Sequence, residues 1–185
     1  VRRQRQMCIR DSIFTADHGE MLGDHHMSQK NLFFEGSAHV PLLIMPPQGR
    51  SLPHNISVEA PADLVDIYPT ILAMAGLSSP VSVSGKNLLE PVPMDRMFFG
   101  NCLNKNFCVM EEKVKLVYSA VGDHVLLFDL NTDPMEQHNL AEDPAWQERK
   151  AKLWKLLLEH TAQYTPEVLG ENGQFLTLSL IHISE

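Results

Sequence analysis

At 185 residues, 44% hydrophobic and 21% charged, the chain has an ordinary globular composition and enough length to bury one substantial core. Its formal net charge is −8, and Arg2, Arg3, Arg5 and Arg10 crowd the amino end, so the remainder is more acidic still. That balance argues against a nucleic-acid partner. No run of about 18 apolar residues occurs, so no membrane span is expected, and Cys8, Cys102 and Cys108 make no disulfide framework.

The opening VRRQRQMCIRDS has no apolar centre of the kind a secretory leader needs. It and the closing LSLIHISE resemble translated adaptor sequence, and residues 1–12 and 176–185 are expected to stand outside the native fold. The sequence assigns neither a compartment nor an oligomeric state. Ile13-Phe14-Thr15 predicts the tail of a buried strand, being β-branched and aromatic. Asp17-His18-Gly19 follows, with Gly19 expected to supply the backbone angles of a sharp turn. Val40 to Met45 is the next strand, stopped by Pro46-Pro47. The stretch Gln48–Asn55 reads as a surface loop.

Asp63 opens a helical segment in which Leu64, Ile67, Tyr68, Ile71, Leu72 and Ala75 recur at helical spacing and Gly76 ends the run. These predict a core-packing face. Pro69 fits only near a helix start, which allows two short helices meeting there. From Ser78 to Met94, three prolines and four serines predict an irregular connection. Lys86 within it reads as a solvated loop lysine rather than an anion contact.

After Met97 the period changes to two. MFFG, FCVM, KVKLVYS and HVLLFDL predict four short strands, the last two joined by a turn centred on Gly122. Asn131, Asp133 and Pro134 then supply turn geometry, and His138 has no partner at metal spacing. Asp143-Pro144 is a helix start, after which Trp146, Leu153, Leu156, Leu157 and Tyr164 line one face and Lys150, Lys152 and Lys155 the wet one. A helix over an antiparallel sheet makes a small α+β layer pair. Cys102 and Cys108 read as unpaired small buried residues.

The chemistry-bearing stretch runs from Ile13 to Pro47, IFTADHGEMLGDHHMSQKNLFFEGSAHVPLLIMPP. An acid–imidazole pair sits where a strand ends, which is where open α/β folds place their sites. Taken alone, Asp17 reads as a turn-capping carboxylate and Lys30 equally as a loop cation or an anion contact. His25 and His26 read as exposed loop imidazoles. Since the chain is acidic, an anionic substrate needs a local cation, either a metal ion or a lysine.

TADHGEMLGDH, then Lys30, then FFEGSAHVPLLIMPP, in that order, resemble the second half of a sulfatase of the alkaline-phosphatase-like superfamily. SGKNLLEP and LFDLNTDPMEQHNLA resemble later parts of the same family. The resemblance implies that Asp17 and His18 are metal ligands and that Lys30 contacts the sulfate and serves the reaction. It implies a divalent ion, with Ca²⁺ or Mg²⁺ suited to the hard oxygen of Asp17 and Mn²⁺ or Zn²⁺ left open by the imidazole. The family's nucleophile, a formylglycine made from Cys or Ser in a Cys/Ser-x-Pro-x-Arg motif, has no counterpart here. Cys102 is followed by Leu-Asn-Lys and Cys108 by Val-Met-Glu.

The implied fold is α/β. Residues 13–96 would be part of an alkaline-phosphatase-like mixed sheet, and 97–175 a small antiparallel-sheet-plus-helix subdomain. The implied function is metal-dependent hydrolysis of sulfate esters by a longer enzyme of which this is a carboxy-terminal part, the part alone being inactive. A phosphate or phosphonate monoester hydrolase of the same superfamily is the near rival. A non-catalytic domain that retains the fold is the rival of a different class.

Overall fold

The computed structural model describes residues 11–30, 32–46 and 56–177. The chain forms two compact units. One takes the residues through Asp17 together with Val40–Arg96, the other His18–His39 together with the chain from Met97 onward.

In the first unit, β1 (Ser12–Thr15) pairs antiparallel with β2 (Leu42–Met45), Ser12 lying opposite Met45 and Thr15 opposite Leu42. The strand expected at Ile13–Thr15 is present, but it is not buried. Phe14 is 65% exposed and Leu43 60%, because a two-stranded ribbon turns alternate side chains to solvent. The helical segment starts at Asp63 with a capping box: its side chain accepts from the Asp66 N–H, and its own N–H donates to Asp66 Oδ2 (2.8 Å). A 3₁₀ turn over Leu64–Asp66 leads into α2 (Ile67–Met74), which follows α1 (Glu35–Ala38) in chain order, and Gly76 ends it at φ 72°. The two helical pieces join at Asp66 rather than at Pro69.

The expected core face of α2 is not a core face. Leu64, Tyr68 and Ile71 are exposed, and the buried positions are Asp66 and Thr70. The connection after Ser84 covers the polar side instead. Asp66 accepts the Lys86 N–H (2.6 Å) and both Arg96 nitrogens (2.5 and 2.9 Å), and Thr70 Oγ1 accepts the Leu88 N–H (3.0 Å). Gly85 permits the approach, since a Cβ there would lie 2.0 Å from the Val65 carbonyl oxygen. Burial pushes the Asp66 carboxyl up, but the Arg96 hydrogen bond and two backbone N–H donors outweigh it and hold it below the usual value.

In the second unit the four expected strands are present as an antiparallel meander in the order β3 (Phe98–Cys102), β4 (Asn106–Glu111), β5 (Val114–Ser119), β6 (His124–Asp129). Gly122 (φ 80°) and Asp123 (φ 57°) turn β5 into β6 as predicted. Glu112 and Lys113 turn β4 into β5 with positive φ at both, a tight hairpin made without glycine. One sheet face carries Phe107, Val109, Leu116, Tyr118 and Leu127 against Leu153 and Leu157 of α3 (Gln147–Tyr164). Asp143 accepts the Ala145 N–H (2.8 Å) at the helix start. Tyr164, expected on the buried stripe, is exposed: the stripe ends at Thr161, and Tyr164 meets His160 in the last turn.

The reverse face of the sheet is covered too. Met21, Phe34 and Phe128 form a second cluster with Leu32, Leu126 and Leu130 at its edge. The segment His18–His39 is therefore a third layer, and β5 is buried on both sides. Cys102 and Cys108 are free. Ser12 takes part in β1, and the Leu176 N–H donates to the Val168 carbonyl (2.9 Å). The ends at 1–10 and 178–185 and most of the Gln48–Asn55 loop lie outside the described residues. No helix among those described is long and apolar enough to cross a membrane.

Two outcomes follow from these environments. Asp66 has a folded pKa below its unfolded one, so its stabilising effect is complete above about pH 4 and is lost as pH falls through the lowered value. Acid titration should free the 84–96 connection, read as collapse of the Lys86 and Leu88 amide protection while β4–β6 stay protected. Burial pushes the Cys108 thiol up to about 12. At pH 8 iodoacetamide should leave Cys108 unmodified in the native chain and alkylate it once denaturant is added.

Candidate functional site

The His18–His39 segment is closed on itself. The Gly19 N–H donates to the Ser37 carbonyl (2.8 Å) and the Met21 N–H to the Gln29 carbonyl (3.2 Å). Gly19 does not have a positive φ. It is needed because a Cβ there would lie 2.2 Å from the Gly36 carbonyl oxygen, so close approach, not turn geometry, demands the glycine.

This closure orients His18. Its Nδ1–H donates to the Gly19 carbonyl (2.8 Å), which fixes the tautomer and leaves the lone pair on Nε2. The Lys30 ammonium donates to that Nε2. Two of the three residues singled out in the sequence, twelve positions apart, are thus brought together. Asp17, the third, is exposed and closes the amino-terminal stretch of the first unit.

His18 alone shows one feature of a metal-bound residue. A histidine that gives its other N–H to a backbone carbonyl has the arrangement usual for metal-bound imidazole, and in this structure the Lys30 ammonium occupies Nε2 in place of an ion. Among the described residues no three His, Cys, Asp or Glu gather at metal spacing. His25 stacks on Phe34 (ring centroids 4.1 Å), and His26 is exposed. His138 is exposed, with its N–H on Asp133 (2.8 Å), and Lys86 enters the structure through its backbone.

Sequence reasoning missed the group that holds the segment in place. Lys115 Nζ donates to Glu35 Oε1 (2.5 Å), Glu136 Oε1 (2.8 Å) and the Phe33 carbonyl (2.8 Å), while Glu136 Oε2 accepts the Glu35 N–H (2.7 Å). Lys115 and Glu136 are each only 3% exposed. Burial pulls the Lys115 pKa down, but the two carboxylates outweigh it and hold it above the ordinary lysine value. The available signal was Leu116-Val117-Tyr118, three apolar residues in succession directly after Lys115, which point to a strand covered on both faces.

Residues 23–163 match the family described as N-sulphoglucosamine sulphohydrolase, C-terminal. The chain belongs to the sulfatase family. Arylsulfatase K of Bos taurus is 34% identical over 148 residues, covering 70% of this chain and 27% of that protein. Among solved structures, the phosphonate monoester hydrolase of Agrobacterium radiobacter is 31% identical with a TM-score of 0.66, over 88% of this chain and 38% of its own. A 2-O GAG sulfatase has a TM-score of 0.68 at 22% identity, over 82% and 36%. The fold is thus that of the alkaline-phosphatase-like sulfatases, and the chain spans about a quarter of the length of the curated relatives it matches first.

In this sulfatase chain the Gly19 contact offers a direct test of the loop's closure. Gly19→Ala should weaken the 19/37 pairing by about 1–3 kcal/mol through overpacking, a roughly 5- to 150-fold effect. Hydrogen exchange at the residue-19 amide should accelerate by that factor, with the β5–β6 amides unchanged.

Proposed function

We propose that the chain is the carboxy-terminal part of a metal-dependent sulfate ester hydrolase in which Asp17 and His18 ligate a divalent cation and Lys30 contacts the sulfate. The observation that carries this reading is the pairing of His18 with Lys30, which brings together two of the three residues that the family resemblance singles out. Ca²⁺ is the leading ion because of the Asp17 oxygen, with Mn²⁺ or Zn²⁺ as alternatives that accept imidazole. Such an ion, when bound, neutralises charge on the oxygens of the reacting ester. The ammonium of Lys30 would do the same for the sulfate oxygens from the chain's own side. A formylglycine nucleophile and the remaining ligands would come from outside these 185 residues, and no turnover is expected without them.

A phosphate or phosphonate monoester hydrolase is the second reading, supported by the 31% identity to the Agrobacterium radiobacter enzyme. The family match and the arylsulfatase relatives favour sulfate. A non-catalytic role would require the completed protein to lack the nucleophile.

The test is an enzyme completed upstream, assayed on an aryl sulfate and on aryl phosphate and phosphonate esters, with metal content measured alongside. Asp17→Ala should lose both metal and activity. Lys30→Ala should keep the metal and lose about 10²- to 10³-fold in kcat, the usual effect of deleting one charge-stabilising donor. Full metal and full rate in Asp17→Ala would refute the site.

A further inference from the structure

We propose that Lys115, clamped between Glu35 and Glu136, is the positioning residue of the candidate site: it fixes the His18–His39 segment on the reverse face of the β3–β6 sheet and so sets where the His18 imidazole and the Lys30 ammonium stand. The inference rests on the function proposed above for those two residues, but its primary test does not.

Three independent features show a built attachment rather than a chance ion pair. All three of the ammonium's donors are used, two by carboxylates and one by the Phe33 carbonyl, so the strand grips both the side chain and the backbone of the segment. Glu136 adopts a left-handed backbone (φ 55°), unusual away from glycine, and its second oxygen takes the Glu35 N–H at the start of α1. The sheet is also notched for the segment: a Cβ at Gly100 would lie 2.4 Å from the Phe33 ring, so the missing side chain on β3 is the slot in which Phe33 lies.

The clamp and the site residues are linked within one closed segment. Glu35 and Gly36 open α1, the Gly36 carbonyl presses on Gly19, and the Ser37 carbonyl accepts the Gly19 N–H. The Gly19 carbonyl in turn holds His18 Nδ1. Displacing Glu35 therefore moves the group that sets the His18 tautomer. The α3 face of the sheet, with Phe107, Leu116, Leu127, Leu153 and Leu157, does not involve the clamp.

The test compares Lys115→Met and the gentler Glu136→Gln with the parent 185-residue chain by amide hydrogen exchange and imidazole ¹⁵N NMR. Exchange at Gly19 and Ala38 should rise at least 10-fold, and the His18 signals should move toward averaging between the two neutral tautomers. The amides of Val109, Leu116 and Leu127 should keep their protection. Lys115→Arg, which retains the charge, should recover part of the Gly19 protection. Equal acceleration at all these amides would show a merely global destabilisation, and an unchanged His18 signal in both variants would overturn the proposal. Should Lys115→Met fail to fold, Glu136→Gln alone decides. In the completed enzyme, Glu136→Gln should lower kcat more than it raises KM. Loss of His18 order with undiminished activity would leave the positioning role standing and refute the site assignment instead.

Discussion

An ammonium group buried in the face of a β-sheet is the constraint on which the second unit depends. Taking one charge out of water costs several kcal/mol unless partners replace its hydration. Lys115 meets that condition only when Glu35, Glu136 and the Phe33 carbonyl are all in position. Three stretches far apart in sequence must therefore arrive together, and losing one partner strands a charge at a cost of about 3–5 kcal/mol. Such a group contributes little net stability when complete. It strongly disfavours every arrangement in which the segment docks elsewhere or not at all.

Seen this way, the residues that carry the family resemblance acquire a physical reason. In FFEG, Phe33 fills the slot over Gly100, Phe34 enters the cluster with Met21 and Phe128, Glu35 meets Lys115, and the Gly36 carbonyl packs on Gly19. The Asp-His-Gly end ties back to the same place through the Gly19–Ser37 hydrogen bond. The Asp-Pro turn after β6 matters because it delivers Glu136. One end of the stretch offers chemistry and the other docks it, and the two are held together by short-range backbone contacts.

How much of this was legible depended on whether a pattern was local. The four strands, the Gly122 turn and the Asp143-Pro144 helix start are written in period and turn chemistry over a few residues each, and all appear as expected. His18 and Lys30 were singled out by resemblance, and their meeting comes from a fold-back that no periodicity records. Lys115 was hidden because alternation in KVKLVYS gives a lysine every second position, which reads as a wet face when only one layer is anticipated. A third layer was invisible because its apolar residues, Met21, Leu32 and Phe34, follow neither a helical nor a strand period. Gly19 was expected to supply the angles of a sharp turn, whereas close approach of the Gly36 carbonyl is what excludes a side chain there.

The first unit reverses the usual arrangement of polar and apolar groups. Every hydrophobic side chain fully buried among the described residues belongs to the second unit, while the first buries Asp66 and Thr70 and leaves Phe14, Leu43, Leu64, Tyr68 and Ile71 exposed. Its shape is set by one carboxylate that gathers a capping box, the Lys86 N–H of the loop and an arginine. Hydrogen bonds of that kind specify geometry but give only about 0.5–1.5 kcal/mol each, whereas stability in water comes chiefly from apolar burial. The core-packing face expected over 64–75 is therefore not one in this structure: its apolar positions Leu64, Tyr68 and Ile71 face solvent. The second unit, with an apolar layer on each side of its sheet, holds its core within itself. His18 belongs to that second unit, and its order derives from a segment docked on the unit's own core.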